Sequence, residues 1–126
     1  MPTLRVEDDR VVALFQGRQA IMALARQVSV PLADITSVTV VPDGWDLDLG
    51  WRVGGTGIPR RLAFGRYRMR GGPRTFAALY CGAPAVVIET NGGDWDRLAI
   101  TEDDPEGVAA AVRAAAGLSD GADPGR

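Results

Sequence analysis

The chain has 126 residues and a formal net charge of −2, which fits a single domain with its own hydrophobic core. It contains no histidine and a single cysteine, so Ser-His-Asp and Cys-His catalysis, histidine metal sites and an internal disulfide are excluded. The N-terminal residues lack the basic start and apolar run of a signal peptide, and no apolar run is long enough to span a bilayer, so we expect a soluble protein of the reducing cytoplasm.

Charge is spread unevenly along this sequence. Seven arginines and no carboxylate lie between Asp48 and Glu89, whereas the rest of the chain holds seven arginines and sixteen carboxylates. A local charge of +7 is therefore set against −9 elsewhere (7 − 16), which makes the molecule dipolar if the fold keeps the segment on one face. All fourteen basic residues are arginine, and with the abundant alanine, glycine and valine this is typical of a GC-rich coding genome.

The first third of the chain alternates between strand and helix signals. Apolar and polar residues alternate over 3–7 and 10–15, which predicts an opening hairpin. Good helix formers over 17–27 predict a short helix. The apolar run over 28–40 predicts one long strand, bent near Pro31 because proline cannot donate to the ladder.

A glycine-rich stretch follows the turn at 42–44. Four glycines, Pro59 and the lack of a period predict a long loop over 50–61. The loop is either a covering flap, with Trp51 and Ile58 plugging one end of a barrel, or a ligand-binding loop, and we favour the flap.

Short runs separated by glycine turns predict four more strands, at 62–69, 75–81, 83–90 and 95–101. In the first of them Arg66 and Arg68 share a face with Leu62 and Phe64, because successive side chains of a strand point to opposite faces. The run 83–90 is almost entirely apolar, so we expect it at the centre of the sheet. The turns are predicted at Gly71-Gly72-Pro73 and Asn91-Gly92-Gly93.

The C-terminal element has clear local signals. An aspartate at the N-cap, Pro105 at the first helical position and acids in the first turn predict a helix over 105–116, with Gly117 as its stop. Residues 118–126 are small and polar, so we expect a disordered tail after a domain of residues 1–117.

The chain resembles the bacterial pleckstrin-homology-like (PH-like) family in the order of its segments: LGWRVGGTGIPRRLAFGRYRMR, RTFAALY, AVVIET and RLAITEDD before a closing helix. The resemblance covers roughly residues 4–116. It implies a mainly β (α+β) fold, an open β-barrel or bent antiparallel sheet of about seven strands closed by the C-terminal helix. It also implies binding or scaffolding rather than chemistry, although fold alone does not assign function.

Two departures from the PH-like pattern bear on lipid binding. Lipid-binding eukaryotic relatives carry basic residues in the loop between the first two strands, where this chain has Glu7, Asp8 and Asp9. Their closing helix also carries a tryptophan that 105–116 lacks. The resemblance therefore does not extend to phosphoinositide recognition at that loop.

No catalytic residue, metal site or cofactor is predicted. Cys81 lies in an apolar stretch, LYCGAPAVV, and is expected to be a packed core thiol. The aspartates near two tryptophans lack the ligand spacing of a calcium loop, and we expect solvated turn acids; they are Asp43, Asp46, Asp48, Asp94 and Asp96.

The arginine segment carries the functional hypothesis. Guanidinium groups bind phosphate and carboxylate as planar forks, so we take as the candidate anion- or partner-binding set Arg60, Arg61, Arg66, Arg68, Arg70 and Arg74. The alternative is that these arginines pair with the protein's own acidic turns or with a neighbouring subunit. The hypothesis is a non-enzymatic binding or assembly module that contacts a protein partner, a like subunit or an anionic membrane surface. Nucleic acid is disfavoured because the chain as a whole is acidic.

A second hypothesis comes from the aromatic residues. In it the protein is a small-ligand-binding protein or a histidine-free enzyme, with a pocket under the 50–61 loop. The candidate lining residues are Trp51, Tyr67, Tyr80 and Trp95.

Overall fold

A computed structural model describes residues 3–15, 17–23, 26–47, 49–58, 60–91 and 95–118. Within these ranges the mainly β (α+β) class is confirmed, with nine strands in two sheets rather than about seven strands. The strands are β1 (Thr3–Glu7), β2 (Arg10–Leu14), β3 (Gln27–Pro31), β4 (Ile35–Val41), β5 (Trp51–Ile58), β6 (Leu62–Arg68), β7 (Arg74–Tyr80), β8 (Ala85–Thr90) and β9 (Arg97–Thr101). The helices are α1 (Arg18–Ala23) and α2 (Pro105–Ala116).

The smaller sheet contains three antiparallel strands in the order β1-β2-β3. Its first two strands form the predicted opening hairpin. Helix α1 confirms a short helix within 17–27, but the prediction runs too far, because Gln27 begins β3. Val11 is fully buried and lies opposite Val30 in the register, so this sheet presents a β-branched apolar face to the core.

The larger sheet contains six strands in the order β4-β8-β9-β7-β6-β5. Strand β8 lies inside this sheet, between β4 and β9, as its apolar sequence predicts. The β6–β7 turn is also confirmed, because Arg68 lies opposite Arg74. All pairs are antiparallel except β7–β9, where β9 returns from β8 to lie parallel to β7.

The prediction of one long strand over 28–40 is wrong. Strand β3 ends at Pro31, a 3₁₀ turn occupies Leu32–Asp34, and β4 then begins in the other sheet. The turn is held from both sides, because the Leu32 amide donates to the Asp9 carbonyl at 2.8 Å and the Asn91 amide donates to the Asp34 carbonyl at 2.8 Å. The chain uses this turn to cross from one sheet to the other.

The predicted 50–61 loop is also wrong, because most of it is β5, an edge strand paired with β6 at every residue except Val53. A bulge between Arg52 and Gly54 shifts the register by one residue. This shift, together with the glycines, removes the period by which a strand is recognised. Trp51 and Ile58 do not plug a barrel, since they are 76% and 42% exposed.

The larger sheet is apolar on both faces. Its inner face, which includes Phe64, Phe76 and Ile88, packs against the smaller sheet and against Ala109 and Val112 of α2. Its outer face includes the buried residues Ala63, Leu79, Val87 and Ala99 and is covered by a segment from which Trp45, Leu47 and Leu49 pack against them. The sheet is therefore the middle layer of the fold.

Helix α2 matches its predicted bounds. The Asp104 carboxylate accepts a hydrogen bond from the Gly107 amide at 3.2 Å, and Gly117 takes the left-handed conformation that ends the helix. The predicted tail lies outside the described residues from 119 onward. In the part of the chain that the structure describes, no helix combines the length and apolarity needed to cross a membrane.

Cys81 is not a packed core thiol. It is exposed in the turn that follows β7, where its amide donates to the Arg61 carbonyl at 2.8 Å. Its apolar sequence neighbours belong to the two flanking strands, which explains why the surrounding sequence suggested burial.

Two glycines bring the backbones of β5 and β6 into close approach. Gly55 lies opposite Gly65, with φ angles of +108° and +123°. A Cβ on Gly55 would lie 2.2 Å from the Phe64 carbonyl oxygen, and one on Gly65 would lie 2.2 Å from the Gly54 carbonyl oxygen. Only glycine fits at either position.

We therefore expect Gly55→Ala and Gly65→Ala each to lower the free energy of unfolding by at least about 3 kcal/mol, because strained dihedrals and backbone overlap act together. Gly82→Ala is the matched control: its φ is +79°, but a Cβ there would meet nothing within 4 Å. We expect this variant to lower the free energy of unfolding by only about 1 kcal/mol. Urea unfolding measures the stability of all three variants. An equal loss of stability in Gly82→Ala and in the two β5–β6 variants would contradict the close approach.

Candidate functional site

The six candidate arginines do not form one surface. Arg60 and Arg61 lie in the turn between β5 and β6, at the start of β6, and the other four lie toward its far end and in the following turn and strand: Arg66, Arg68, Arg70 and Arg74. The length of β6 separates the two groups by about 20 Å, at roughly 3.3 Å per residue. A single anion-binding set of all six is therefore not assembled.

Arg74 pairs within the molecule, as the alternative reading of the arginines expected. Its guanidinium forms a 3.2 Å ion pair with Asp96, and its amide donates to the same carboxylate at 2.8 Å. Hydrogen bonds from Arg74 hold the pKa of Asp96 below its usual value. The Asp96 amide donates in turn to the Arg74 carbonyl at 2.9 Å. Asp96 is thus a structural partner that joins the start of β7 to the start of β9.

Three exposed arginines and a tryptophan share the far end of the β5–β6 pair. Trp51 is 76% exposed and lies opposite Arg68 in the register. Arg66 lies on the same face of β6 as Arg68, and its guanidinium carbon is 5.8 Å from the centre of the Trp95 ring, within cation–π range. We call this surface the Trp51–arginine surface: Trp51, Arg66, Arg68 and Arg70.

The four aromatic residues predicted to line a pocket are not brought together. Tyr80 and Trp95 pack at the inner face, with ring centres 5.3 Å from Phe64 and 5.2 Å from Phe76 respectively. Trp51 is exposed at the edge of the sheet. Tyr67 alone of the four lines a cavity, on the outer face.

This cavity has a volume of about 350 Å³ and lies between the β5–β6 pair and the segment that covers the outer face. Most of the lining is apolar, and the Arg52 guanidinium is its sole charged group among the residues that the structure describes. The lining residues are Gly44, Trp45, Leu47, Leu49, Gly50, Arg52, Gly57, Ile58, Leu62, Ala63 and Tyr67. Sequence reasoning missed Trp45 and Arg52, although the alternation of acidic and apolar residues over 43–49 was a usable signal.

Arg52 and Tyr67 form the polar end of the cavity. They lie opposite each other in the register, and the Arg52 side chain is hydrogen-bonded to the phenol. Arg52 Nη1 also donates to the Gly57 carbonyl at 3.3 Å. Burial raises the pKa of Tyr67, and the nearby guanidinium opposes this only in part, so the phenol is protonated at neutral pH. The pair therefore offers hydrogen-bond donors to a ligand.

The cavity's outer wall is fixed by one aspartate. Asp43 Oδ1 accepts hydrogen bonds from the Trp45 amide at 2.9 Å and from the Gly82 amide at 3.0 Å. The Gly44 amide donates to the Ala83 carbonyl at 3.1 Å. These contacts tie the 3₁₀ turn Gly44–Asp46 to the β7–β8 turn, so Trp45 is held over the sheet. Asp43 lies at a turn, as predicted, but it is half-buried and bonded to two backbone amides rather than solvated, so its role is structural.

Among the described ranges no group of three or more histidine, cysteine or acidic residues could hold a metal ion. No protein-family model, curated protein or solved structure matches the chain.

The Asp96–Arg74 contact predicts how the stability of the protein depends on pH. The folded pKa of Asp96 lies below the unfolded value of 3.8, so its contribution to stability is present above that pH and is lost as the pH falls through the lower folded pKa. We expect Asp96→Asn to lower the free energy of unfolding at neutral pH, and the difference from the wild type to shrink in strong acid. Urea unfolding across acidic pH measures this, with the exposed turn variant Asp9→Asn as control. A constant difference at every pH would refute the assignment.

Proposed function

We propose that the protein is a cytoplasmic, non-enzymatic binding module that contacts an acidic protein partner through the Trp51–arginine surface. The observation that carries this proposal is the 76% exposure of Trp51 directly opposite Arg68 on the neighbouring strand. The proposal includes membership of the PH-like family, whose domains bind and scaffold. A mainly β fold that ends in a packed helix is consistent with that membership.

The composition of the surface favours a protein partner. Tryptophan and arginine are the residues most enriched among those that dominate protein–protein binding energy. Val53, at the bulge two residues after Trp51, is also exposed, at 67%, and β5 is the last strand of its sheet. An exposed apolar edge strand is a common docking place for another polypeptide.

The charges of the surface favour an acidic contact. Arg66, Arg68 and Arg70 are all exposed, and Arg66 is already stacked on Trp95, so one guanidinium is partly ordered before binding. A second copy of the chain could supply the acids through its exposed turn Glu7-Asp8-Asp9. Self-association is therefore one outcome that the experiment must separate from binding of a different protein.

Site-specific photo-crosslinking tests the proposal in cells of the source organism. A photoreactive residue replaces Trp51 and, as control, Ile21, which is 73% exposed on α1. We expect a protein adduct from position 51 and none from position 21. An adduct with the mass of a dimer would identify a like subunit, and any other mass a different protein. No adduct, with flotation on anionic but not on neutral vesicles, would instead identify a membrane surface.

The arginines are tested by neutralisation. We expect the triple variant Arg66→Gln, Arg68→Gln, Arg70→Gln to reduce adduct formation roughly tenfold or more. The variant removes all three guanidinium groups that would bind the partner's carboxylates. The control removes the same charge elsewhere, at three exposed arginines outside the segment: Arg5→Gln, Arg18→Gln, Arg26→Gln. Equal adduct yields from the two variants would refute a role for this surface.

A further inference from the structure

We propose that the outer-face cavity is a binding site for a small monocarboxylate with a compact apolar body, whose carboxylate is bound by Arg52 and Tyr67. This site lies on the opposite face of the β5–β6 pair from Arg68, so the inference does not rest on the proposed function.

The polar chemistry of the cavity determines the charge of the ligand. Arg52 is its one charged lining group among the described residues, and a guanidinium binds a carboxylate through two parallel hydrogen bonds. A guanidinium has five N–H groups, of which the contacts with Gly57 and Tyr67 use only part. One cation matches one negative charge, which favours a monocarboxylate over a phosphate ester with two charges and disfavours an amine.

The shape of the cavity determines the rest of the ligand. Trp45, Leu47, Leu49 and Leu62 form apolar walls that would exclude water from a hydrocarbon or aromatic body. A volume of about 350 Å³ is near the lower end of the range for small-molecule sites, roughly 300–1,000 Å³. A short aryl-alkanoic acid matches both the apolar walls and the small volume, whereas a long-chain fatty acid or a nucleotide does not.

The position of Arg52 is set by a glycine. A Cβ on Gly57 would lie 2.7 Å from Arg52 Nη1 and 3.1 Å from the Tyr67 hydroxyl. Gly57 does not have a positive φ, so Gly57→Ala should fold and displace the flexible end of Arg52. The sequence thus offers a variant that moves the binding group without removing its charge.

The experiment is isothermal titration calorimetry of the full chain with hydrocinnamate, with its uncharged amide and with phenethylamine. We expect saturable binding of hydrocinnamate only, because the amide lacks the charge and the amine has the opposite charge. In nuclear magnetic resonance spectra, hydrocinnamate should shift the Trp45 indole and the Leu47 and Leu49 methyl signals, which locates the site.

Four variants separate the site from a merely structural effect. We expect Arg52→Gln to weaken hydrocinnamate binding roughly tenfold or more and Tyr67→Phe to weaken it less, as losses of a charge-assisted and a neutral hydrogen bond respectively. Gly57→Ala should weaken binding while urea unfolding shows that it is folded. Arg5→Gln, at an exposed arginine of the smaller sheet that belongs to neither candidate site, should leave binding unchanged.

Three results would overturn the inference. The first is no saturable hydrocinnamate binding by the wild-type chain. The second is equal affinity for the acid and its amide, or for the wild type and a folded Arg52→Gln variant. The third is a set of signal shifts centred on Arg68 and Trp51 instead of Trp45, which would assign the acid to the Trp51–arginine surface.

Discussion

The close approach of Gly55 and Gly65 is the constraint on which the pairing of β5 with β6, and with it the Arg52–Tyr67 site, depends. Each glycine takes a positive φ, and neither has room for a Cβ against the opposing backbone. Because the outer face of β5 and β6 carries no side chains at this pair, the Arg52 side chain can reach the Gly57 carbonyl and lie beside the Tyr67 hydroxyl. A side chain at either position would meet the opposing backbone and separate the two strands that carry Arg52 and Tyr67.

The alternation of side chains along β5 divides two adjacent residues between two sites. Trp51 lies opposite Arg68 and Arg52 lies opposite Tyr67, so the first belongs to the inner-face side of β6 and the second to the outer-face side. Gly54 then lies opposite Arg66, which restores pairing after one extra residue. An exposed tryptophan among arginines and an arginine that lines the cavity are therefore consecutive in the sequence but belong to different surfaces.

The features that the sequence predicted are those with local signals. Helix α2 is defined by Asp104, Pro105 and Gly117, which act within one turn of its ends, and the hairpins are defined by their turn residues. The crossing between sheets at Pro31 was not predictable, because an alternating pattern does not tell which strand a segment pairs with. The parallel pairing of β7 with β9 was not predictable either, because it joins strands that are separated in the sequence by β8. Arg52 was missed because its role depends on Tyr67 and Gly57, which are brought to it only by β5–β6 pairing.

Side chains of the C-terminal part act on two other strands that lie at sheet edges. Arg113 of α2 donates to the Val38 carbonyl of β4 at 2.8 Å and 3.0 Å, and Glu102 accepts from the Leu4 amide of β1 at 3.0 Å. Burial raises the pKa of Glu102, so keeping this carboxylate ionised costs stability as the pH rises through that pKa. The same carboxylate satisfies the Leu4 amide at the edge of the smaller sheet, which partly offsets this loss of stability. Strand β5 differs in that it presents exposed Trp51 and Val53 instead, which is the arrangement expected of an edge that another molecule covers.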